Sequence, residues 1–207
     1  MACASHHTFA VFDMVAFGER TDDDQLWLRK RMFEMLAAAT GRAGISGNGY
    51  HLVDRADGVA LLFDASVPKP VVAEGLLLGV QAELRAHNRR SRWPATMRLR
   101  MSLHAGDVTY DGTYDGTWVG AELNTACRLV DLPEVRVALQ HFPGAQLVLC
   151  VSDHWFQTVV RHDPGLVDHR TYLPIMGEFK ELRARAWLHV PDPFPPPWTG
   201  TGRWLPE

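Results

Sequence analysis

Cysteine is scarce. The 207-residue chain carries three, Cys3, Cys127 and Cys150, widely spaced and odd in number. Such a set makes neither a disulfide framework nor a metal knuckle, which points to a reducing, cytoplasmic setting. No apolar run reaches membrane-spanning length, and the first residues lack a signal-peptide pattern, so the expectation is a soluble protein with no membrane partner. Positive charge is not in excess either. The 21 Lys and Arg against 24 Asp and Glu leave a net charge of -3, which gives no general pull toward nucleic acid. The one dense basic cluster, Arg89, Arg90 and Arg92, follows a helix-like stretch and reads as its solvated end. The histidines, His6 and His7 among them, lack ligand spacing and read as ordinary. No internal repeat, linker or low-complexity block splits the chain, and no convincing side-chain nucleophile stands out. One domain over residues 1–190 is expected. A Pro/Trp-rich tail, 191–207, cannot be regular structure and is expected to pack on the body or on a partner chain.

What is present is organised around Phe12-Asp13-Met14-Val15-Ala16-Phe17-Gly18. Residues 8–15 are β-prone and nearly all apolar, the pattern of a strand at a sheet centre. Asp13 is out of place there. An unpaired buried carboxylate costs several kcal/mol by rough estimate, so it needs a partner. Either it caps the next turn or it binds a divalent metal. The segment Asp54-Arg55-Ala56-Asp57-Gly58 lies between two β-prone runs, Tyr50 to Asp54 and Val59 to Phe63, and reads as a hairpin carrying a second acid. Two aspartates on neighbouring strand tips suit a pair of Mg²⁺ ions and a triphosphate.

Between these segments, Thr21 caps a helix whose stripe is Leu28, Met32, Met35, Leu36 and Ala39, with Gly41 as its stop. Pro68 and Pro70 open a second helix over Ala73, Leu76, Leu77, Val80 and Leu84. Met97, Leu99, Met101 and Leu103 alternate with polar residues in a strand expected to end at Gly106. A loop over 107–118 and a helix over 119–129 follow. Then come a buried strand over 146–151, a short helix capped by Ser152, and strands around 172–180 and 184–190. The opening order β-α-β-β-α-β is ferredoxin-like, so the fold class is α+β with added strands and helices. Asn124 and Arg128, four apart, share one helix face. They are either an ordinary polar pair or a grip on a sugar and a phosphate.

Asp13-Met14-Val15-Ala16-Phe17, Asp57-Gly58, Leu103-His104-Ala105-Gly106 and residues 120–129 stand in the order and approximate spacing of a class III nucleotidyl cyclase. Over roughly residues 8–190 the chain resembles the catalytic domain of adenylate and guanylate cyclases. The resemblance implies that Asp13, Asp57 and the Met14 carbonyl hold two Mg²⁺ or Mn²⁺ ions. It implies that amides near Phe17 and Gly18, with Lys180, bind the triphosphate. Asn124 would orient the ribose, and Arg128 would stabilise charge at the α-phosphate. At Glu181 the family often has Gly, a departure beside Lys180. The site is shared between two chains in that family, so a homodimer is implied.

The base pocket departs from the familiar cyclases. By the resemblance, Val53 and Thr117 stand where adenylate cyclases place Lys and Asp and guanylate cyclases Glu and Cys. With Tyr50 on the same hairpin strand, the pocket is expected to take a smaller base. In this it looks like the pyrimidine cyclases of bacterial Pycsar antiphage defence, which make cyclic UMP or cyclic CMP for a separate effector. UTP is the expected substrate. CTP, a purine nucleotide with a divergent pocket, and a non-catalytic nucleotide-binding homologue are the alternatives.

Overall fold

The computed structural model describes residues 3–112, 117–162 and 167–191. Its centre is an eight-stranded sheet. The strands are β1 (Ala4–Met14), β2 (Tyr50–Arg55), β3 (Gly58–Asp64), β4 (Leu99–Asp111), β5 (Thr117–Val119), β6 (Leu147–Ser152), β7 (Leu173–Phe179) and β8 (Leu182–His189). They lie in the order β2-β3-β1-β4-β6-β8-β7, with β5 paired to β4. Every pairing is antiparallel except β4 with β6. The first four strands, in the spatial order β2-β3-β1-β4, complete the ferredoxin-like core that the β-α-β-β-α-β order implies.

Helices cover both faces. On one lie α1 (Asp22–Arg42) and α2 (Leu77–Asn88), the latter entered through a wide π-helical turn over Val71–Leu76. Phe12, Met14, Leu61, Phe63, Leu99 and Met101 pack there against Leu28, Met32, Leu36, Leu76 and Val80. A short α5 (Asp153–Trp155), capped by Ser152, joins that layer. The other face carries α3 (Ala121–Leu129) over Phe9, Val11, Ala60 and Leu62, and α4 (Pro133–His141) over Val148, Cys150 and Leu188. Alternation along β1 therefore sends Phe12 and Met14 to one layer, and Val11 and Asp13 to the other.

Several boundaries differ from the sequence expectation. Gly106 does not end β4. It pairs with His7, and β1 supplies partners as far as Thr109. A Cβ at Gly106 would sit 2.3 Å from Glu122 Cγ, so this glycine admits α3 rather than stopping a strand. Within the expected loop, Thr117–Val119 forms β5; residues 113–116 lie outside the described residues. The helix α4, started by Pro133 at its first turn, was missed although Val135, Ala138 and Leu139 form its buried stripe. Gly41 does not stop α1, which ends at Arg42 ahead of Gly44 at φ 71°. Of the tail, only Pro191 is described; its carbonyl accepts a hydrogen bond from Gln81 on α2. The rest of the tail, 192–207, whose packing on the body or a partner chain the sequence leads one to expect, lies outside the described residues. Among the described residues no helix is long and apolar enough to cross a membrane.

His189 gives the fold a pH signature. It is buried on β8, stacked on Tyr172 with its Nδ1 3.0 Å from Thr171 Oγ1. Burial pushes its pKa down to about 4. The unfolded chain binds a proton that the folded chain refuses between the ordinary value, about 6.5, and about 4. The contribution of this group to stability is therefore complete above about pH 6.5 and falls as pH drops toward 4. The loss is on the order of 3 kcal/mol for a shift of this size. Denaturant unfolding at pH 7 and pH 4.5 should show His189→Gln losing less stability over that interval than the wild type does.

Candidate active site

Asp13 is the next-to-last residue of β1 and is buried. Burial pushes its carboxyl up to about 6; Asp57 and Asp131 add to the push, and Arg100 opposes it. The register explains this company. Asp13 pairs with Gly58 on β3 and with Arg100 on β4, so all three lie at one level of the sheet. Arg100 donates through Nη2 to Asp13 Oδ2. Its Nε is buried without a partner among the described residues. That unpaired donor beside acids suits a phosphoryl oxygen.

Asp57 is exposed at the β2–β3 turn, and its carbonyl accepts from the Met14 amide at 3.0 Å. This bond ties the two acidic tips together. The other acid of the hairpin, Asp54, is engaged elsewhere. Arg29 of α1 pairs with it, holding its carboxyl below the usual range, and also donates to the Ala56 carbonyl at 2.7 Å. Asp13, Asp57 and the Met14 carbonyl form an all-oxygen donor set. Such a set, with Arg100 paired to Asp13 and with Asp131 nearby paired to Arg55 and Arg136, suits a hard divalent cation.

After Met14 the chain turns through Ala16 at φ 55° into a single 3₁₀ turn, Phe17–Glu19. Arg20, buried, fastens this turn to the neighbouring loop by donating to the carbonyls of Val15, Pro94 and Thr96 at 2.9, 3.0 and 3.0 Å. Gly18 is exposed, and a Cβ there would meet nothing within 4 Å, so the backbone is open to a ligand.

On α3, Asn124 is exposed and Arg128 turns to Glu181, with which it forms an ion pair. Lys180 and Glu181 make the two-residue turn from β7 to β8, and Lys180 holds φ 53°. Arg128 and Lys180 are thus brought to one locality. Among the described residues only three non-glycines have positive φ: Ala16, Ala56 and Lys180. Each lies within a turn that the resemblance assigns to metal or triphosphate. Backbone held in such conformations costs of order 1–3 kcal/mol per residue and clusters where ligands are gripped.

The three expected base-side residues, Tyr50, Val53 and Thr117, all line one open depression, though not from one face of β2. Val53 packs with the α3 layer, and Thr117 on β5 lines the same open depression as His51, Trp118 and Tyr110. Tyr50 borders that depression, yet its ring is turned to the α1–α2 layer, 5.7 Å from Phe63. Alternation on β2 is the cause: Tyr50 and Leu52 share one side, His51 and Val53 the other. The aromatic groups beside Val53 and Thr117 are therefore His51 and Trp118, whose ring centroids lie 4.9 Å apart. Histidines are not ordinary elsewhere on this face either. Buried His104 has Nε2 2.6 Å from Glu122 and Nδ1 2.8 Å from Ser152, which bridges β4, α3 and the end of β6. Burial holds its pKa below the usual value, against the opposing effect of Glu122.

No family model matches the chain, and no curated protein does. Solved structures do. The chain is similar to an adenylate/guanylate cyclase/hydrolase from Silicibacter pomeroyi, with 20% identity over 92% of this chain and 99% of that one and a TM-score of 0.64. It is similar to the guanylate cyclase domain from Catenaria anguillulae solved with GTP, at 16% identity, 90% and 97% coverage and a TM-score of 0.62. A bacterial light-regulated adenylyl cyclase aligns at 14% identity, 89% and 90% coverage and a TM-score of 0.61. The α+β architecture described above is the fold of these cyclase domains.

Gly58 decides how closely the acidic tips approach. A Cβ there would sit 2.2 Å from the Phe12 carbonyl oxygen. Gly58→Ala should therefore destabilise the protein by about 1–3 kcal/mol in denaturant unfolding, as backbone crowding does. Gly18→Ala, with open space around it, should leave the unfolding midpoint unchanged.

Proposed function

We propose that the protein is a nucleotidyl cyclase that converts UTP to 3′,5′-cyclic UMP and pyrophosphate. The observation that carries the reading is the join of the two acidic tips. Asp13 and Asp57 are held together by the Met14–Asp57 backbone bond, with Arg100 as the counter-charge of Asp13. Asp13, Asp57 and the Met14 carbonyl would hold two Mg²⁺ or Mn²⁺ ions, which when bound lower the pKa of the ribose 3′-hydroxyl and screen the triphosphate.

The remaining roles fall to the chain. Amides around Phe17 and Gly18 receive phosphate oxygens, and Lys180 and Arg100 add fixed positive charge. Asn124 orients the ribose, and Arg128, released from Glu181, stabilises charge on the α-phosphate as the 3′-oxygen attacks in line. The attack is intramolecular, so positioning and charge stabilisation supply most of the rate. As the resemblance implies, the site is shared in a homodimer in which one subunit brings the aspartates and the other brings Asn124 and Arg128.

The base reading rests on the depression. Val53 and Thr117 offer no Lys–Asp or Glu–Cys pair, and a purine edge left unpaired costs roughly 1–3 kcal/mol per lost hydrogen bond. A pyrimidine stacked near Trp118 and read by Thr117 and His51 avoids that cost. The product is read by a separate effector, as in antiphage signalling. A purine substrate is the second reading, favoured by the similar structures, which are named adenylyl and guanylyl cyclases.

Incubation with each of the four NTPs and Mn²⁺, with products identified by mass spectrometry, tests the substrate. UTP should exceed ATP and GTP in kcat/KM by at least about tenfold, or about 1.4 kcal/mol in transition-state binding. Equal turnover of ATP or GTP establishes the purine reading instead. The shared site has its own check. Asp57→Ala and Arg128→Ala should each be inactive alone and regain activity when mixed, because one site of the heterodimer is intact. No rescue after demonstrated subunit exchange means that each chain holds a complete site.

A further inference from the structure

His7, His51 and Asp64 come from three neighbouring strands and meet on one face of the sheet. His7 pairs with Asp64 across β1 and β3, and His51 pairs with Leu62 across β2 and β3. One donor atom from each lies within 4.8 Å of the others. His7 Nε2 is 3.4 Å and His51 Nε2 3.5 Å from Asp64 Oδ1. These separations are long for hydrogen bonds, which centre near about 2.9 Å. They match the donor-to-donor edge, about 3.3–3.5 Å, of a tetrahedron with metal bonds of about 2.0–2.1 Å.

The hydrogen bonding of His7 points the same way. Its Nδ1 lies 3.2 Å from the Ser5 carbonyl and 3.4 Å from the Ser5 hydroxyl, and the shorter contact is the one a hydrogen on Nδ1 makes. In that tautomer the Nε2 lone pair is directed at the cluster. An imidazole fixed by an outer carbonyl is the usual arrangement of a metal-bound histidine. Trp118 walls the site, its ring 4.8 Å from His7 and 4.9 Å from His51. The His7 side chain is 5% exposed and that of His51 49%, so the cluster opens to solvent on one side.

We propose that His7, His51 and Asp64 bind one transition-metal ion of the Zn²⁺ class, with a fourth position open to water or ligand. Two imidazoles and one carboxylate suit Zn²⁺ or Co²⁺ and disfavour Mg²⁺, whose sites are built from oxygen. The site is distinct from the pair Asp13 and Asp57, which lies at the other end of β1, and it does not depend on the cyclase reading. Because His51 and Trp118 also line the depression, the ion ties that rim to β1 and β3.

The test uses the full chain, purified without a polyhistidine tag, stripped by chelator and titrated with Co²⁺ in excess Mg²⁺. One equivalent per chain should bind with the visible absorption of tetrahedral Co²⁺. It should show no thiolate charge-transfer band and be displaced by Zn²⁺. His51→Ala and Asp64→Asn, both at exposed or half-exposed positions, should each weaken Co²⁺ binding at least tenfold while thermal unfolding confirms that they fold. Asp13→Asn should bind Co²⁺ as the wild type does. No tetrahedral absorption in the wild type, wild-type affinity in either cluster variant, or loss of the site in Asp13→Asn overturns the assignment.

Discussion

A carboxylate at the buried end of β1 must be balanced, and Arg100 supplies the balance across the β1–β4 register. The rest of the site depends on that contact. Burial raises the Asp13 pKa to about 6, and Arg100 opposes that rise, so the carboxyl can stay inside the sheet. The Met14–Asp57 bond then brings a second acid to the same tip. The result is a focus of charge that is only partly neutralised, the arrangement expected where a cation and a polyanion are to be bound together.

β1 acts as a ruler for this face. His7, Phe9, Val11 and Asp13 stand in line on the side covered by α3. The middle two are apolar and seat the helix. The outer two are polar and mark two different chemistries, one of nitrogen donors and one of oxygen donors. Glycines hold the surrounding elements close. Gly58 admits the Phe12 carbonyl, Gly106 admits Glu122, and Gly120 admits Val108. The turns at Ala16, Ala56 and Lys180 take up the remaining conformational cost.

Much of this was legible in the sequence, because it was local. An acid ending an apolar run, a hairpin with an acidic tip and a Thr-capped helix each announce themselves within a few residues, and the helix cap is found as expected. The arginine partner was not legible. Arg100 looks like any polar residue alternating along a strand until register places it opposite Asp13. Tyr50 shows the complementary failure. Its strand was identified correctly, but the phase of alternation, fixed only by which layer covers each side, sends its ring away from Val53. The ligands of the histidine cluster lie at 7, 51 and 64, where spacing rules for metal motifs have nothing to detect. Helix α4 was missed although Pro133 at its first turn and the spacing of Val135, Ala138 and Leu139 signal it.

The β1–β4 pairing carries a consequence for how the protein acquires its charge balance as it is made. The two acids belong to the first third of the chain and are joined by the compact unit β1-α1-β2-β3. Arg100 lies 87 residues from Asp13 in sequence. Closing so long a loop is slow, and strands joined this way fold late compared with hairpins. On the ribosome, the acidic half therefore emerges and can pair before its cation exists. During that interval the unit carries two crowded carboxylates and an open edge on β1, which makes it the stretch most exposed to wrong strand partners.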